Sequence, residues 1–395
     1  MISSKVGSPV TGDDFFDRES EQRDVWEFLR GDDLLLLAPR RVGKTSLMLR
    51  LRDTAHKHQL EAAYISVAGA EDEPAFVRKL CEGVSGLDAS SDVLRHLKKG
   101  KLARWLKRIK KVSVAQIGLE LGPGSPWEDV GAQLVEALDR EGGRRLILVD
   151  EVPVFVLSLL RQDSSGARAR KFLTWFRELR QHPDRQGRLR WLLAGSIGLD
   201  TVAARLHLGD TINDLYVVRL GPFDRETART FLVSLGLAHD FSMSAGVVEH
   251  FLDRVGWLIP YHLQLLFREL RSRCTDQSSP PDIEAVDAVF EDLVSPSKRA
   301  YFDYWRQRLH EELGQPDAER AITLLNAVAK DPEGTSREVL EQQLSESISD
   351  ADERVDGLRY LLDVLESDGY LVETGKRHRF RSPLLREFWL RRVAP

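Results

Sequence analysis

Cysteine is scarce in this chain: Cys81 and Cys274 are the only two in 395 residues, and they lie far apart. Their separation excludes a disulfide-stapled scaffold and a C-x-x-C metal or redox site, and so few thiols suit a reducing cytoplasm. Long apolar runs are lacking as well. No stretch approaches the roughly 20 residues that span a bilayer, and Met1-Ile2-Ser3-Ser4-Lys5 lacks the apolar centre of a signal peptide, so the expectation is a cytoplasmic protein with no membrane span. Nor is there an excess of one charge: 57 Lys and Arg against 62 Asp and Glu leave a net charge of −5. Global electrostatics therefore gives no reason to expect nucleic acid or an acidic membrane as the partner, and any such contact must be local. No fixed-period repeat is present. The remaining composition, 42% hydrophobic and 30% charged, is that of an ordinary globular protein long enough for two or three domains.

The most informative stretch is Leu34-Leu35-Leu36-Leu37-Ala38-Pro39-Arg40-Arg41-Val42-Gly43-Lys44-Thr45-Ser46. A short, wholly apolar run is the pattern of a parallel strand buried on both faces. It breaks at Ala38-Pro39 and gives way to Gly43-Lys44-Thr45 and a helical pattern through Leu47 and Leu51. Strand, loop and helix in that order aim loop N–H groups and a helix N-terminus at one point, which is a cradle for the β- and γ-phosphates of a nucleotide. Lys44 adds a point charge there, and the Thr45 hydroxyl is placed for the Mg²⁺ that bridges the same phosphates. The spacing matches G-x-x-x-x-G-K-[ST] except at its first position, where Ala38 replaces glycine. That substitution is tolerable if Ala38 keeps φ below zero.

A second motif, Arg145-Leu146-Ile147-Leu148-Val149-Asp150-Glu151, is a buried strand ending in two carboxylates. Asp150 is expected in the Mg²⁺ shell beside Thr45, and Glu151 is expected to orient or deprotonate a water attacking the γ-phosphate. Further strands are expected at Ala63 to Ala68, at Leu189 to Leu199 and at Leu215 to Leu220. The Leu189 strand ends at Ser196, which either hydrogen-bonds the γ-phosphate or water or simply makes a turn. Alternating strands and helices imply a parallel sheet wrapped on both faces, with the ligand at the carboxyl edge of its strands.

Around this core the spacing predicts a helix from about Arg18 to Leu29 capped by Asp17. Phe16-Asp17-Arg18-Glu19 before it either packs beside the base of the nucleotide or is only a cap with a charged face. A capping box at Ser125-Pro126-Trp127-Glu128 starts a helix to about Arg140. The most basic segment, Leu97 to Lys111, places Leu102, Trp105, Leu106 and Ile109 on one helical face. Its charges are either the solvated side of an amphipathic helix or a contact with nucleic acid, a membrane surface or an acidic partner, with the first reading favoured. From Asp224 the pattern is all helix. The ending, three helices, a two-stranded turn at Thr374-Gly375-Lys376 and a final helix, is the order of a winged helix. Its third helix is acidic (Asp352, Glu353, Asp356, Asp363, Glu366, Asp368), which is unfavourable against DNA. The wing, Lys376-Arg377-His378-Arg379, is basic enough to keep nucleic-acid binding as a minority reading.

Taken together, Phe16-Asp17-Arg18-Glu19, the Pro39 to Ser46 loop with its Arg40-Arg41 pair, Val149-Asp150-Glu151, Gly195-Ser196-Ile197-Gly198-Leu199, Gly221-Pro222-Phe223, Gly256 with Pro260 and the winged-helix ending resemble the archaeal-type ATPases and the STAND signalling ATPases of the AAA+ group. The resemblance implies an α/β P-loop core at 1–222 with a basic insertion at about 85–126, a helical lid at 223–275, a helical linker at 276–317 and a winged helix at 318–395. It implies ATP or ADP with Mg²⁺ as ligands. Phe16 and Arg18 would lie near the nucleotide, and Pro39, Arg40, Arg41, Val42, Gly43, Lys44, Thr45 and Ser46 would form the loop. Asp150, Glu151 and Ser196 would stand around the phosphates, Pro260 would lie against adenine, and Arg205 is a candidate arginine finger for a neighbouring subunit. Family members commonly carry an effector or a repeat array, and this sequence shows neither.

The function expected is therefore a slowly hydrolysing ATP switch that controls assembly, as a homo-oligomer, or a separately encoded effector or sensor protein. The alternatives are a DNA-engaged AAA+ ATPase resembling origin-recognition or transposition regulators, and a non-hydrolysing ADP-bound adaptor.

Overall fold

Five short apolar runs pair side by side into one parallel sheet. In the computed structural model, which describes residues 4–85, 87, 126–140, 143–181, 188–195, 199–206, 208–277 and 279–394, these are β1 (Asp33–Leu37), β2 (Leu60–Ser66), β3 (Arg144–Asp150), β4 (Leu189–Gly195) and β5 (Leu215–Arg219), in the order β2-β3-β4-β1-β5. All the pairings are parallel, with Leu37 level with Gly195 and Val149 level with Leu193. The basic segment Leu97 to Lys111 and the strand or hairpin expected at Val112 to Leu121 lie outside the described residues.

Side chains alternate across a strand, so a strand buried on both faces feeds two cores. Leu34, Leu36, Leu146, Leu148, Leu192 and Ala194 belong to one; Leu35, Leu37, Ile147, Val149, Trp191 and Leu193 belong to the other. The first face carries α1 (Glu19–Phe28) and α2 (Lys44–Thr54). The second carries α3 (Glu73–Val84), α4 (Pro126–Arg140), α5 (Val152–Gln162), α6 (Ala167–Gln181) and α7 (Leu199–Arg205). The sequence reading did not single out α5, whose first half, Val152 to Leu157, is wholly apolar and largely buried.

The start of α1 also differs from expectation. Asp17 does not cap it: Asp17 and Arg18 both adopt left-handed backbone angles, φ 56° and 68°, and no side chain accepts from the first turn. That turn points Arg18 inward, where it is buried.

After β5 come three helices, α8 (Arg225–Ala238), α9 (Ala245–Val255) and α10 (Pro260–Gln277), in the region expected as a lid and called so below. The side chains of Asp224 and Ser244 cap the first two by accepting from Thr227 and Val247 N–H. The helix α11 (Ile283–Leu293), expected in the linker, packs on α9 and α10. Then come α12 (Asp303–Leu313), α13 (Asp317–Lys330), β6 (Thr335–Ser336), α14 (Arg337–Gln343), α15 (Ala351–Ser367), β7 (Leu371–Thr374), β8 (Arg377–Phe380) and α16 (Pro383–Arg392). The three last strands form an antiparallel sheet in the order β6-β8-β7, so the expected order of three helices, two strands and a final helix is present, with the short strand β6 added.

This C-terminal unit is not a separate body. One continuous apolar core runs from Leu47 and Met48 in α2 through Phe251 and Leu266 in the lid to Leu325, Leu365 and Trp389. The unit meets the sheet's carboxyl edge at Gly369, where the chain turns with φ +92°. A Cβ there would stand 2.5 Å from Trp257 Cη2 and 3.0 Å from Pro39 Cβ. Elsewhere α15 packs on α7, α12 on α5, and α16 on α9.

Two glycines therefore make a matched test of this seat. Gly369→Ala should lose about 3 kcal/mol or more of unfolding free energy, combining left-handed backbone strain with overpacking. Gly375→Ala, at φ +65° with nothing within 4 Å, should lose only about 1–2 kcal/mol. Urea unfolding of both variants measures the difference, and equal losses would mean that the seat is loose.

Candidate phosphate-binding site

The phosphate loop is shaped by backbone angles before any ligand arrives. Gly43, at φ +100°, is the residue before α2, and Arg41 takes φ +64°. Ala38 is buried and is not among the residues with positive φ, so its methyl group is accommodated. At the far side, Glu151 also sits in the left-handed region at φ 66°, immediately before α5. Between the two loops ends β4. A side chain at Gly195 would run into the Pro153 ring, so only glycine lets the end of β4 lie against the first turn of α5.

This geometry brings the expected charges together. The Lys44 ammonium is buried, donates to Asp150 Oδ1 and lies 3.4 Å from Glu151 Oε1. Thr45 Oγ1 donates to Asp150 Oδ2 at 3.0 Å. The Glu151 N–H donates to Asp150 Oδ1 at 2.9 Å, so Asp150 is held on several sides. One of its partners was not legible in the sequence: the phenol of Tyr64, on the neighbouring strand β2, donates to Asp150 Oδ2 at 3.0 Å. Burial and the Asp150 charge push the Tyr64 pKa up, so it remains a donor. The signal for Tyr64 lies in the β2-β3 pairing, which sequence alone does not provide.

In front of the loop opens a cavity of about 380 Å³ lined by Pro39 to Ser46, Glu151, Phe16, Arg18 and Pro260. Its other wall is the N-terminal segment, tied down by the Val10 N–H on Ser46 Oγ (3.0 Å), the Lys5 N–H on Gln264 Oε1 (2.7 Å) and the Lys5–Asp14 ion pair (2.6 Å). Phe16 packs at 5.1 Å from Phe231 and edge-on to Phe223.

Three of the expected ligand-binding side chains line this cavity while holding protein groups. Ser46 accepts from Val10. Arg18 pairs with Glu21 at 2.5 Å, donates to Gly221 O at 2.7 Å and to Val42 O at 3.3 Å, and lies over the Phe223 ring. Arg41 is sandwiched between the lid and α12, with its guanidinium carbon 3.8 Å from the Tyr261 ring centre and 4.0 Å from that of Tyr304. Ser196 lies outside the described residues, and Arg205 is the last residue of α7.

The C-terminal unit reaches the same charges. Asp368, directly after α15, is buried and paired with Arg308 of α12 at 3.1 Å. Burial pushes its carboxyl up to about 6; Arg308 opposes that, Glu151 adds to it and Lys44 opposes it. At the Thr374-Gly375-Lys376 turn, three of the four basic residues have partners within the chain: Arg377 pairs with Asp331 at 2.6 Å, buried His378 contacts Glu366 at 3.0 Å, and Arg379 donates to Thr374 Oγ1 at 3.2 Å.

The sign of the pH effect follows from that raised value. The unfolded carboxyl titrates near 3.9. Between about pH 4 and 6 the native state therefore holds the extra proton, and Asp368 is most favourable to the fold below pH 4. Relative to Asp368→Asn, the wild-type protein should lose up to about 3 kcal/mol as pH rises from 4 to 7. Urea unfolding of both proteins across that range tests this, and a flat difference would refute it.

No protein-family model matches the chain, and no curated protein matches it. Solved structures do. The fold is similar to that of the Walker-type ATPase PABY2304 of Pyrococcus abyssi, at 19% identity and TM-score 0.61 over 98% of this chain and 99% of that one. It is similar also to the ORC2 protein of Aeropyrum pernix in its ADPNP–ADP complexes, at 14% identity and TM-score 0.55 over 96% and 95%. At such identities the likeness is one of fold: a P-loop α/β sheet followed by helical parts, in the same overall arrangement.

Proposed function

We propose that this chain is an ATP-binding, slowly hydrolysing switch of AAA+/STAND type, whose nucleotide state sets how the lid and C-terminal unit sit and thereby controls assembly or a partner protein. The observation that carries the proposal is that one loop serves two surfaces. The loop that lines the cavity also supports the C-terminal unit, through Pro39 under Gly369 and Arg41 between Tyr261 and Tyr304. Anything that reshapes the loop biases that docking.

The donor set suits Mg²⁺ and nucleotide. A hydroxyl and a carboxylate within 3.0 Å of each other are hard oxygen ligands of the kind Mg²⁺ takes, and a lysine stands beside them. Thr45 and Asp150 would hold the metal, Lys44 would hold the phosphates, and Phe16 and Pro260 would flank the base. Mg²⁺ and nucleotide, when bound, supply the charge neutralisation and the anhydride to be cleaved. Glu151, partly exposed in the cavity, would take the proton of the attacking water, while Tyr64 would keep Asp150 oriented. For a nucleotide to bind, Lys44 must exchange its carboxylate partners for phosphate oxygens. That exchange would take Lys44 away from Glu151 and alter the field at Asp368.

Two features bear on the DNA-engaged reading: α15 packs on α7, and three of the wing's four basic residues have partners within the chain. Light scattering without nucleotide and with Mg-ATP, alongside phosphate release, tests the switch. Assembly should appear with Mg-ATP, persist in Glu151→Gln while turnover falls about 10²-fold or more, and reverse as the wild type hydrolyses. No change in size and no phosphate released would leave the ADP-bound adaptor or a DNA-dependent ATPase. Tyr64→Phe should raise the Mg²⁺ concentration needed for half-maximal turnover about tenfold, leaving nucleotide binding without metal unchanged.

A further inference from the structure

The amino edge of the sheet, opposite the phosphate loop and about 20 Å from it along β3, carries a second concentration of charge. Arg30 precedes β1, Lys57, His58 and Gln59 precede β2, and Arg144 begins β3. Together with Trp26 they line a cavity of about 230 Å³ in whose wall no acid stands among the described residues. An outer groove of about 420 Å³ shares Trp26, Arg30, Lys57 and His58, gains Arg23 and Arg50, and carries Glu19 and Glu27.

None of Arg30, Lys57 and Arg144 is paired with an acid among the described residues, although the chain as a whole has net charge −5. Bringing three such cations to one concavity is unfavourable unless something anionic joins them. The bland account is that cations collect at helix C-termini, as at the end of α1. Here, however, that end is already served: Arg190 donates to Leu29 O at 3.1 Å and to Arg30 O at 3.2 Å, leaving the Arg30 side chain exposed. His58 stacks flat on Trp26, 4.1 Å between ring centres and 17° between planes, and makes an aromatic wall. Burial pushes its pKa down, and the nearby Arg30 and Lys57 add to that.

We propose that this cavity is a second anion site, separate from the phosphate-loop cavity, that takes the phosphoryl oxygens of a phosphate ester. Arg30, Lys57 and Arg144 are its cations, Gln59 is its neutral donor, and the His58–Trp26 stack is its wall. The phosphate comes either from a small phosphorylated molecule or from the backbone of single-stranded nucleic acid. In either case the site gives the chain an input remote from its nucleotide.

The test uses the full chain carrying Lys44→Ala, which removes the phosphate-loop charge. Pyrophosphate binding is read by calorimetry and binding of a labelled 20-nucleotide oligothymidylate by anisotropy, both at 50 mM salt. The site predicts that at least one probe binds, and that adding Arg30→Gln, Lys57→Gln and Arg144→Gln weakens it at least tenfold. For the oligonucleotide, the log–log salt slope should shrink by about 2. Pyrophosphate binding without oligonucleotide binding assigns a small ligand, and the reverse assigns a nucleic-acid backbone. In the wild-type Lys44 background the triple variant should keep ATP turnover within twofold and a thermal midpoint no lower than that of wild type. Should the triple variant fold poorly, Lys57→Glu alone is read the same way. Failure of both probes to bind, or unchanged binding in the variants, overturns the proposal.

Discussion

The Lys44 ammonium is buried against the Asp150 carboxylate, with Glu151 close by, and much of the architecture serves to keep these three groups within reach of one another. A buried cation is tolerable only when paired, and breaking such a pair typically costs about 3–5 kcal/mol. The strands that deliver the partners, β1 and β3, are not neighbours; β4 lies between them. The distance between the charges therefore depends on a third strand, and on Gly195 letting that strand end beside Pro153 without collision. Tyr64 on β2 braces Asp150 from the other side. Four strands thus contribute to the position of one carboxylate.

The same loop carries a mechanical connection. Arg41 has a left-handed backbone angle and a guanidinium held between two tyrosines, one in the lid and one in α12. Pro39 lies beneath Gly369, and Asp368 next to it feels both Glu151 and Lys44. Contacts of this kind are discrete, because packed interiors resist gradual deformation. On the proposed switch, a change in the loop would therefore be passed on as a change between arrangements rather than as a continuous displacement.

The sequence made the two chemical loops readable because each is announced locally: an apolar run buried on both faces, then residues that cannot continue it. Leu34 to Leu37 before the glycine-lysine pair and Leu146 to Val149 before the two acids are found where expected, as are α4 and the order of C-terminal elements. What escaped was whatever depends on distant parts of the chain. Arg41 meets aromatic partners some 220 and 263 positions away, and Tyr64 meets Asp150 across a strand pairing. Local signals also misled where a tertiary demand overrode them. Asp17 has the chemistry of a helix cap, yet the turn it occupies is bent to bury Arg18 against the carbonyls of Gly221 and Val42. The run Val152 to Leu157 carries no polar side chain, so nothing within it marks which face meets the sheet.

The strand order has a consequence for the making of the protein. β1 pairs only with β4 and β5, whose first residues, Leu189 and Leu215, follow Leu37 by some 150 and 180 positions. At synthesis rates of about 5–20 residues per second, β1 is without either partner for roughly 8–30 s after it is made. During that interval four consecutive leucines have no sheet to join, and the arginine-rich turn and short helix that follow them cannot cover both sides. The strand that leads into the Pro39 to Ser46 loop is thus the one whose burial is longest delayed on the ribosome, and the nascent chain must be shielded until β4 emerges.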